Sequence, residues 1–225
     1  MLCEHLFRPL AHAVVVPFAA LRVPPVAVVL AAASTGVLAA VELGRGRFVV
    51  AALLVQLKTV LDNADGQLAR VTNRVTVFGR YLDSECDLLV NAALFAALGA
   101  RFDAPGRAAL GFVLLTLILS VNFNTERISR GAAASWDTSA LGRAYGLLYG
   151  WQDRLADRVL GRRTIFGWQV GALANLGMTT QLAAFGICIA LGHPLAFVWV
   201  LVCEAVVVVA LFAVQPKQEV SLEHR

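Results

Sequence analysis

Four aspartates, two glycines, an alanine and an arginine fall within one 26-residue stretch, Asp62 to Asp87, and these are the residues of the chain whose types and spacing could do chemistry. They follow the pattern D-x2-D-G-x2-A-R-x8-G-x3-D-x3-D, with Asp62, Asp65, Gly66, Ala69, Arg70, Gly79, Asp83 and Asp87 at the fixed positions. Asp62 and Asp65 are three apart, and Asp83 and Asp87 four apart, so on helices each pair shares a face. The first pair closes one apolar segment and the second opens the next. The expected geometry is two neighbouring helices aiming four acids into one gap. Carboxylates cannot crowd together at neutral pH unless something compensates their charge. Hard divalent cations do so: Mg²⁺ or Mn²⁺ take oxygen ligands and keep a phosphate-bearing substrate in the shell. Two such ions about 4 Å apart can polarise a phosphoryl group and steady its leaving group. Gly66 and Gly79 clear side chains where a nucleotide or pyrophosphate needs the backbone, and Arg70 offers a fork of donors to phosphate oxygens.

All eight fixed positions match, with spacing intact, the signature of the CDP-alcohol phosphotransferase family, which the chain resembles over these 26 residues and, elsewhere, in layout only. The competing explanation, four acids on a solvated helical surface, is opposed by the membrane-length apolar segments on both sides. The resemblance implies a CDP-linked donor at the cytoplasmic membrane face with its pyrophosphate on two metal ions. An acceptor hydroxyl attacks the phosphorus remote from the cytidine, and CMP leaves. By the same resemblance Asp62, Asp65, Asp83 and Asp87 look like metal ligands, and Asp87 also like the general base. Asp65, Gly66, Ala69, Arg70, Gly79 and Asp83 look like the site for the CDP moiety. The intervening Ser84-Glu85-Cys86 does not resemble the Ala-Asp-Lys ending associated with glycerophosphate acceptors. The expected donor is CDP-diacylglycerol, and the acceptor a polar alcohol or alcohol phosphate, in phospholipid headgroup synthesis. The alternative within the family is a CDP-polyol transferred to a polyol phosphate.

Composition places these helices in a bilayer. Hydrophobic residues make up 59% of the 225 and only 15% are charged, with a mean hydropathy of +0.72; a soluble domain of this length carries more charge. The reading is an all-α polytopic membrane protein of six transmembrane helices with a short N-terminal amphipathic surface helix. Residues 1–21 form that juxtamembrane segment, with Pro9 and Pro17 interrupting any signal-like apolar core. Residues 22–214 form the six-helix catalytic domain, and 215–225 a loose tail. The spans are expected from Pro25 to about Leu43, Phe48 to Ala64 with a possible continuation through Arg70, and Arg80 to Ala100. The rest are Ala108 to Phe123, Gly167 to Leu191 and Leu195 to Val214. Turns fall at Gly44–Arg47, Asp103–Gly106 and Gly192–Pro194. A polar segment, 124–163, separates the fourth and fifth spans.

Orientation follows from lysines and arginines in the connections. With the motif on the cytoplasmic side, that side holds fourteen of them and the opposite side four. Both termini and the site then face the cytoplasm of a bacterial-type inner or plasma membrane, where nucleotides are. Arg127 and Arg130 either recruit an acceptor phosphate or follow the positive-inside rule, whereas Arg154, Arg158, Arg162 and Arg163 fit the second reading. Asp153 and Asp157 look like their helix-face partners. Lys58, one turn before Asp62, either touches a substrate phosphate or balances the acids. Cys86 is a soft extra ligand or a small packing residue. Asn91 either orients Asp87 or bonds across helices. Glu204, an acid deep in the last span, points to a partner helix or a dimer interface. A homodimer is expected from the resemblance; membrane lipids are expected partners and nucleic acid is not. Small residues at Ala31–Gly36 and Gly171–Gly177 permit close helix approach within or between protomers. Two readings from other classes compete. A prenyltransferase needs two separate Asp-rich motifs, and a divalent-cation transporter needs acids near mid-membrane.

Overall fold

The computed structural model describes residues 2–131, 140–159 and 166–213, and within them the chain is helical, with no strand. The elements are α1 (Leu2–Ala20), α2 (Pro25–Gly44), α3 (Phe48–Val71), α4 (Val77–Arg101), α5 (Pro105–Ser129), α6 (Ala140–Val159), α7 (Gly167–Ala174), α8 (Met178–Ala190) and α9 (Ala196–Ala213). The tail expected at 215–225 and Arg162 and Arg163 lie outside the described residues.

The local chemistry explains most boundaries. Pro24 is extended and Pro25 opens α2, where a missing N–H costs nothing. The α2–α3 turn places Gly46 at φ +78°, a conformation that glycine adopts freely. The same turn is pinned by the buried Glu42 carboxylate, which accepts from Arg45 at 2.7 Å and Arg47 at 3.3 Å. Helix α3 runs on past Ala64 to Val71, so Asp62, Asp65, Gly66 and Arg70 all lie on one unbroken helix.

Other boundaries move. The third long helix starts at Val77, three residues ahead of Arg80, because the Thr76 hydroxyl accepts from the Gly79 N–H and caps it. Pro105 and Gly106 belong to the first turn of α5, not to the turn before it. Helix α5 also extends beyond Phe123 to Ser129, its last turns supported by Arg127 on Asn124 and Arg130 on Glu126. Part of the segment read as merely polar is the helix α6. The expected fifth helix is broken into α7 and α8, because Asn175 closes the one and Gly177 caps the other. Both residues are poor occupants of a helix interior.

Four stretches are long and apolar enough to cross a membrane: Pro25–Gly44, Pro105–Ser129, Gly167–Ala190 taken through its break, and Ala196–Ala213. Helices α3 and α4 have comparable length but carry the charges of the motif. Helix α2 packs against both α3 and α4, α8 against α3, and α5 joins α4 to α9. The core lies away from the acids. Phe185 stacks on Phe197 at 4.8 Å and on Phe95 at 5.7 Å, with Leu43, Leu94, Leu98, Ile189 and Leu201 fully buried around them. A smaller cluster of Ala11, Val15, Val28, Ala64 and Leu68 docks α1 on α2 and α3.

The approach of α2 to α4 depends on Gly36. A Cβ there would overlap the Val90 side chain, so the Ala31–Gly36 run is used inside the protomer. Gly36→Val is expected to lower stability by about 1–3 kcal/mol through overpacking. Thermal unfolding of the purified protein in detergent checks this, and an unchanged midpoint rejects the close α2–α4 contact.

Candidate active site

Two helices supply the acids. Helix α3 presents Lys58, Asp62 and Asp65 at spacings of four and three, and α4 presents Asp83, Asp87 and Asn91 at spacings of four. The unbroken turn geometry of each helix aligns these residues, and packing of both helices on α2 brings the rows together. One carboxylate oxygen each from Asp62, Asp83 and Asp87 lies within 4.8 Å of the others. Asp65 follows Asp62 by one turn and is 5% exposed, and its Oδ2 is buried without a hydrogen-bond partner. Lys58 is 1% exposed. Its Nζ donates to Asp62 Oδ1 at 2.9 Å and to Asp87 Oδ1 at 2.5 Å. Lys58 is thus ion-paired with one acid of each helix.

The donor set suits a hard cation. It consists of carboxylate oxygens alone, and Cys86 is not among the grouped atoms. One ammonium pairs with two of the four acids, and an orphaned buried oxygen on Asp65 is the kind of atom a bound ion satisfies. The residues present therefore fit Mg²⁺ or Mn²⁺.

The remaining motif residues line the approach. Gly66 lies under the Arg70 side chain, whose guanidinium nitrogen comes to 3.4 Å of where a Cβ would stand. Arg70 is exposed, and Ala69 is half-buried one residue before it. Gly79 sits in the first turn of α4, its N–H on Thr76. The acceptor candidates at the end of α5 already have partners. Arg127 donates to Asn124 Oδ1 and at 2.7 Å to Asp157 on α6; Arg130, largely exposed, pairs with Glu126. Asp157 thus binds an arginine on a different helix, where the sequence suggested one on its own. Nothing is described of the Asp153 side chain.

Sequence reasoning missed the part played by α8. Asn63, between the two motif acids of α3, donates to Thr179 Oγ1 at 3.1 Å, and Asn91 donates to Met178 Sδ at 3.8 Å. Asn91 therefore bonds across helices. The start of α8 is tied to both acid-bearing helices, and the signal for it was Asn175-Leu176-Gly177, read as helix interior. Glu204 also finds its partner here, accepting from Gln181 Nε2 at 2.7 Å, while Gln181 reaches the Leu176 carbonyl at 3.3 Å. On the other flank Tyr145 of α6 stacks on Tyr81 of α4 at 4.0 Å and donates to its carbonyl.

With this geometry in view, comparison with known proteins is direct. Residues 13–152 match the CDP-alcohol phosphatidyltransferase family, which is well over half of the chain, and the chain belongs to that family. It is 32% identical over 132 residues to a bifunctional IPC transferase and DIPP synthase of Aquifex aeolicus, an alignment covering 58% of this chain and 30% of that protein. It is 37% identical over 79 residues to a phosphatidylinositol phosphate synthase of Corynebacterium glutamicum, covering 33% of this chain and 36% of the relative. The chain thus spans about a third of the length of each. The crystal structure of Mycobacterium tuberculosis phosphatidylinositol phosphate synthase with CDP-DAG bound superposes with a TM-score of 0.41 and 17% identity, over 87% of this chain and 94% of that one.

Gln181→Leu strands the Glu204 carboxylate and the Leu176 carbonyl together. The expected loss of stability is about 1–3 kcal/mol, and adding Glu204→Leu should recover part of it. Thermal unfolding of the single and double variants measures both effects.

Proposed function

We propose that the chain transfers a substituted phosphate group from a CDP-alcohol, CDP-diacylglycerol in the first instance, to the hydroxyl of a second alcohol or alcohol phosphate. The observation that carries the reading is the convergence of Asp62, Asp83 and Asp87 within 4.8 Å inside an intact family signature. A relative that is a phosphatidylinositol phosphate synthase supports a phosphorylated polyol as acceptor.

In this reading Asp62, Asp65, Asp83 and Asp87 hold two Mg²⁺ or Mn²⁺ ions, which when bound polarise the pyrophosphate and stabilise the departing charge. Asp65, Gly66, Ala69, Arg70, Gly79 and Asp83 seat the CDP moiety; the Arg70 fork, which lies over Gly66 one turn away, swings off the glycine to receive a phosphate. Asp87 takes the proton of the acceptor hydroxyl as its oxygen bonds to the phosphorus remote from the cytidine. The bond from that phosphorus to the bridging oxygen breaks, and CMP leaves with the electron pair. Arg127 and Arg130 receive the acceptor's phosphate by exchanging Asp157 and Glu126 for it. Lys58 reaches a phosphate only by leaving Asp62 and Asp87.

The same reading places the protein across a membrane, with α3 and α4 adding two spans to the four apolar ones. That makes six spans within residues 22–214, flanked by a surface segment (1–21) and a tail (215–225). The site and both termini face the cytoplasm, and the protein assembles as a homodimer. Positive-inside asymmetry supports the orientation.

The test is CMP release by the purified protein in nanodiscs. CDP-diacylglycerol and soluble CDP-polyols are paired with inositol phosphate, glycerol phosphate, serine and inositol. Release is expected to require Mg²⁺ or Mn²⁺ and one acceptor, and to fall by about 10²–10⁴-fold in Asp87→Ala. A soluble donor outperforming CDP-diacylglycerol would select the polyol reading. Absence of both release and metal-dependent CDP binding would sink the enzyme reading and bring a cation transporter forward.

A further inference from the structure

Lys58 lies outside the eight-residue signature, yet it is the cation that the acid gap contains. A fully buried ammonium is costly unless it is paired. Lys58 is paired with two acids from two helices, Asp62 and Asp87, through one oxygen of each. Those two acids also belong to the trio whose oxygens converge within 4.8 Å. A Mg²⁺ or Mn²⁺ ion held by Asp62 and Asp87 would draw on the same two carboxylates that now accept from the lysine nitrogen. The ammonium and such an ion therefore compete for them, and the repulsion between the two cations adds to the exchange. Asp65 and Asp83 form no ion pair with Lys58, and the buried Oδ2 of Asp65 has no hydrogen bond.

We propose that Lys58 is a built-in counter-ion that holds the Asp62–Asp87 position until a divalent ion displaces it. The site's two cation positions then load unequally, with the one guarded by Lys58 filling last. The proposal rests on reading the acids as ligands of divalent ions. It also gives the lysine a use without metal: it joins α3 to α4 across a gap that the acids alone would force apart. Its flexible four-carbon stem allows the ammonium to leave without moving the helix.

The test uses the full chain in nanodiscs. Bound Mn²⁺ is counted by electron paramagnetic resonance of the free ion, and thermal unfolding is followed in EDTA and in saturating Mn²⁺. The wild type should bind Mn²⁺ in two classes. In Lys58→Met the weaker class should tighten by about tenfold or more, since a competing like charge is gone. The variant should melt below the wild type in EDTA, and Mn²⁺ should shrink that gap. Lys58→Gln, which keeps a hydrogen-bonding group in the buried position, replaces Lys58→Met if the latter does not fold. Isotherms that superimpose, or weaker binding by the variant, overturn the role of Lys58 and leave the metal reading intact. No Mn²⁺ binding by wild type or variant overturns the metal reading, and this proposal with it.

Discussion

Carboxylate repulsion across the α3–α4 gap is the constraint on which the rest of this fold depends. Oxygens from three aspartates stand within 4.8 Å of one another and a fourth follows one turn on. At an effective dielectric near 20, each ionised pair at that separation opposes the arrangement by about 3 kcal/mol. The helices must therefore be held together by contacts outside the gap. Helix α2 does this by packing on both, with Gly36 allowing Val90 of α4 to come in against the α2 backbone. Helix α8 does it from the other side, through Asn63 on Thr179 and Asn91 on Met178. Within the gap itself, Lys58 is the bridge.

The acid pairs were legible in the sequence because their geometry is local. Spacings of three and four residues fix a shared face on any helix, whatever the helix packs against. Convergence of Asp62 with Asp83 and Asp87 followed from the position of the two pairs at facing ends of consecutive apolar segments. Helix ends were less legible. The start of α4 depends on one hydroxyl, Thr76, meeting the Gly79 N–H, and the end of α5 on side-chain pairs of Arg127 and Arg130 that composition alone reads as loop. Helix α6 was legible only in the helical spacing of its charges, because its polar composition resembles a connection, whereas its Tyr145 docks on Tyr81. Lys58 shows the limit most plainly. Its position one turn before Asp62 pointed to that acid, whereas the bond to Asp87, which arrives on another helix, could not be read from spacing.

Glu42 and Glu204, on two of the apolar helices, each have a partner, as a medium without water demands. Glu42 takes Arg45 and Arg47 at one end, and Glu204 takes Gln181 between α8 and α9. The break at Asn175–Gly177 follows the same logic. Interrupted helix backbone is tolerated where protein surrounds it, and here Gln181 covers the Leu176 carbonyl while Asn122 of α5 approaches Gly177. The interruption lets α8 begin beside the acids, so that its first residues, Met178 and Thr179, meet Asn91 and Asn63.

Polarity along the two motif helices sets where the reaction can occur. On α4 successive turns carry Asp83, Asp87, Asn91 and then Phe95, which enters the aromatic stack with Phe185 and Phe197. On α3 the reverse order runs from Asp65 and Asp62 through Lys58 to Val55 and Ala51, buried in the same core. Both helices grade from acid through a neutralising or amide residue to close-packed apolar side chains within about three turns. A charged group finds compensation no deeper than Lys58 and Asn91, because beyond them Val55, Ala51 and Phe95 offer none for its desolvation. An acyl-bearing donor meets the opposite demand, since its chains gain from the apolar depth that its phosphates cannot enter. In the proposed reaction the scissile phosphorus of such a donor would lie at the junction of these grades, with its two ends drawn in opposite directions.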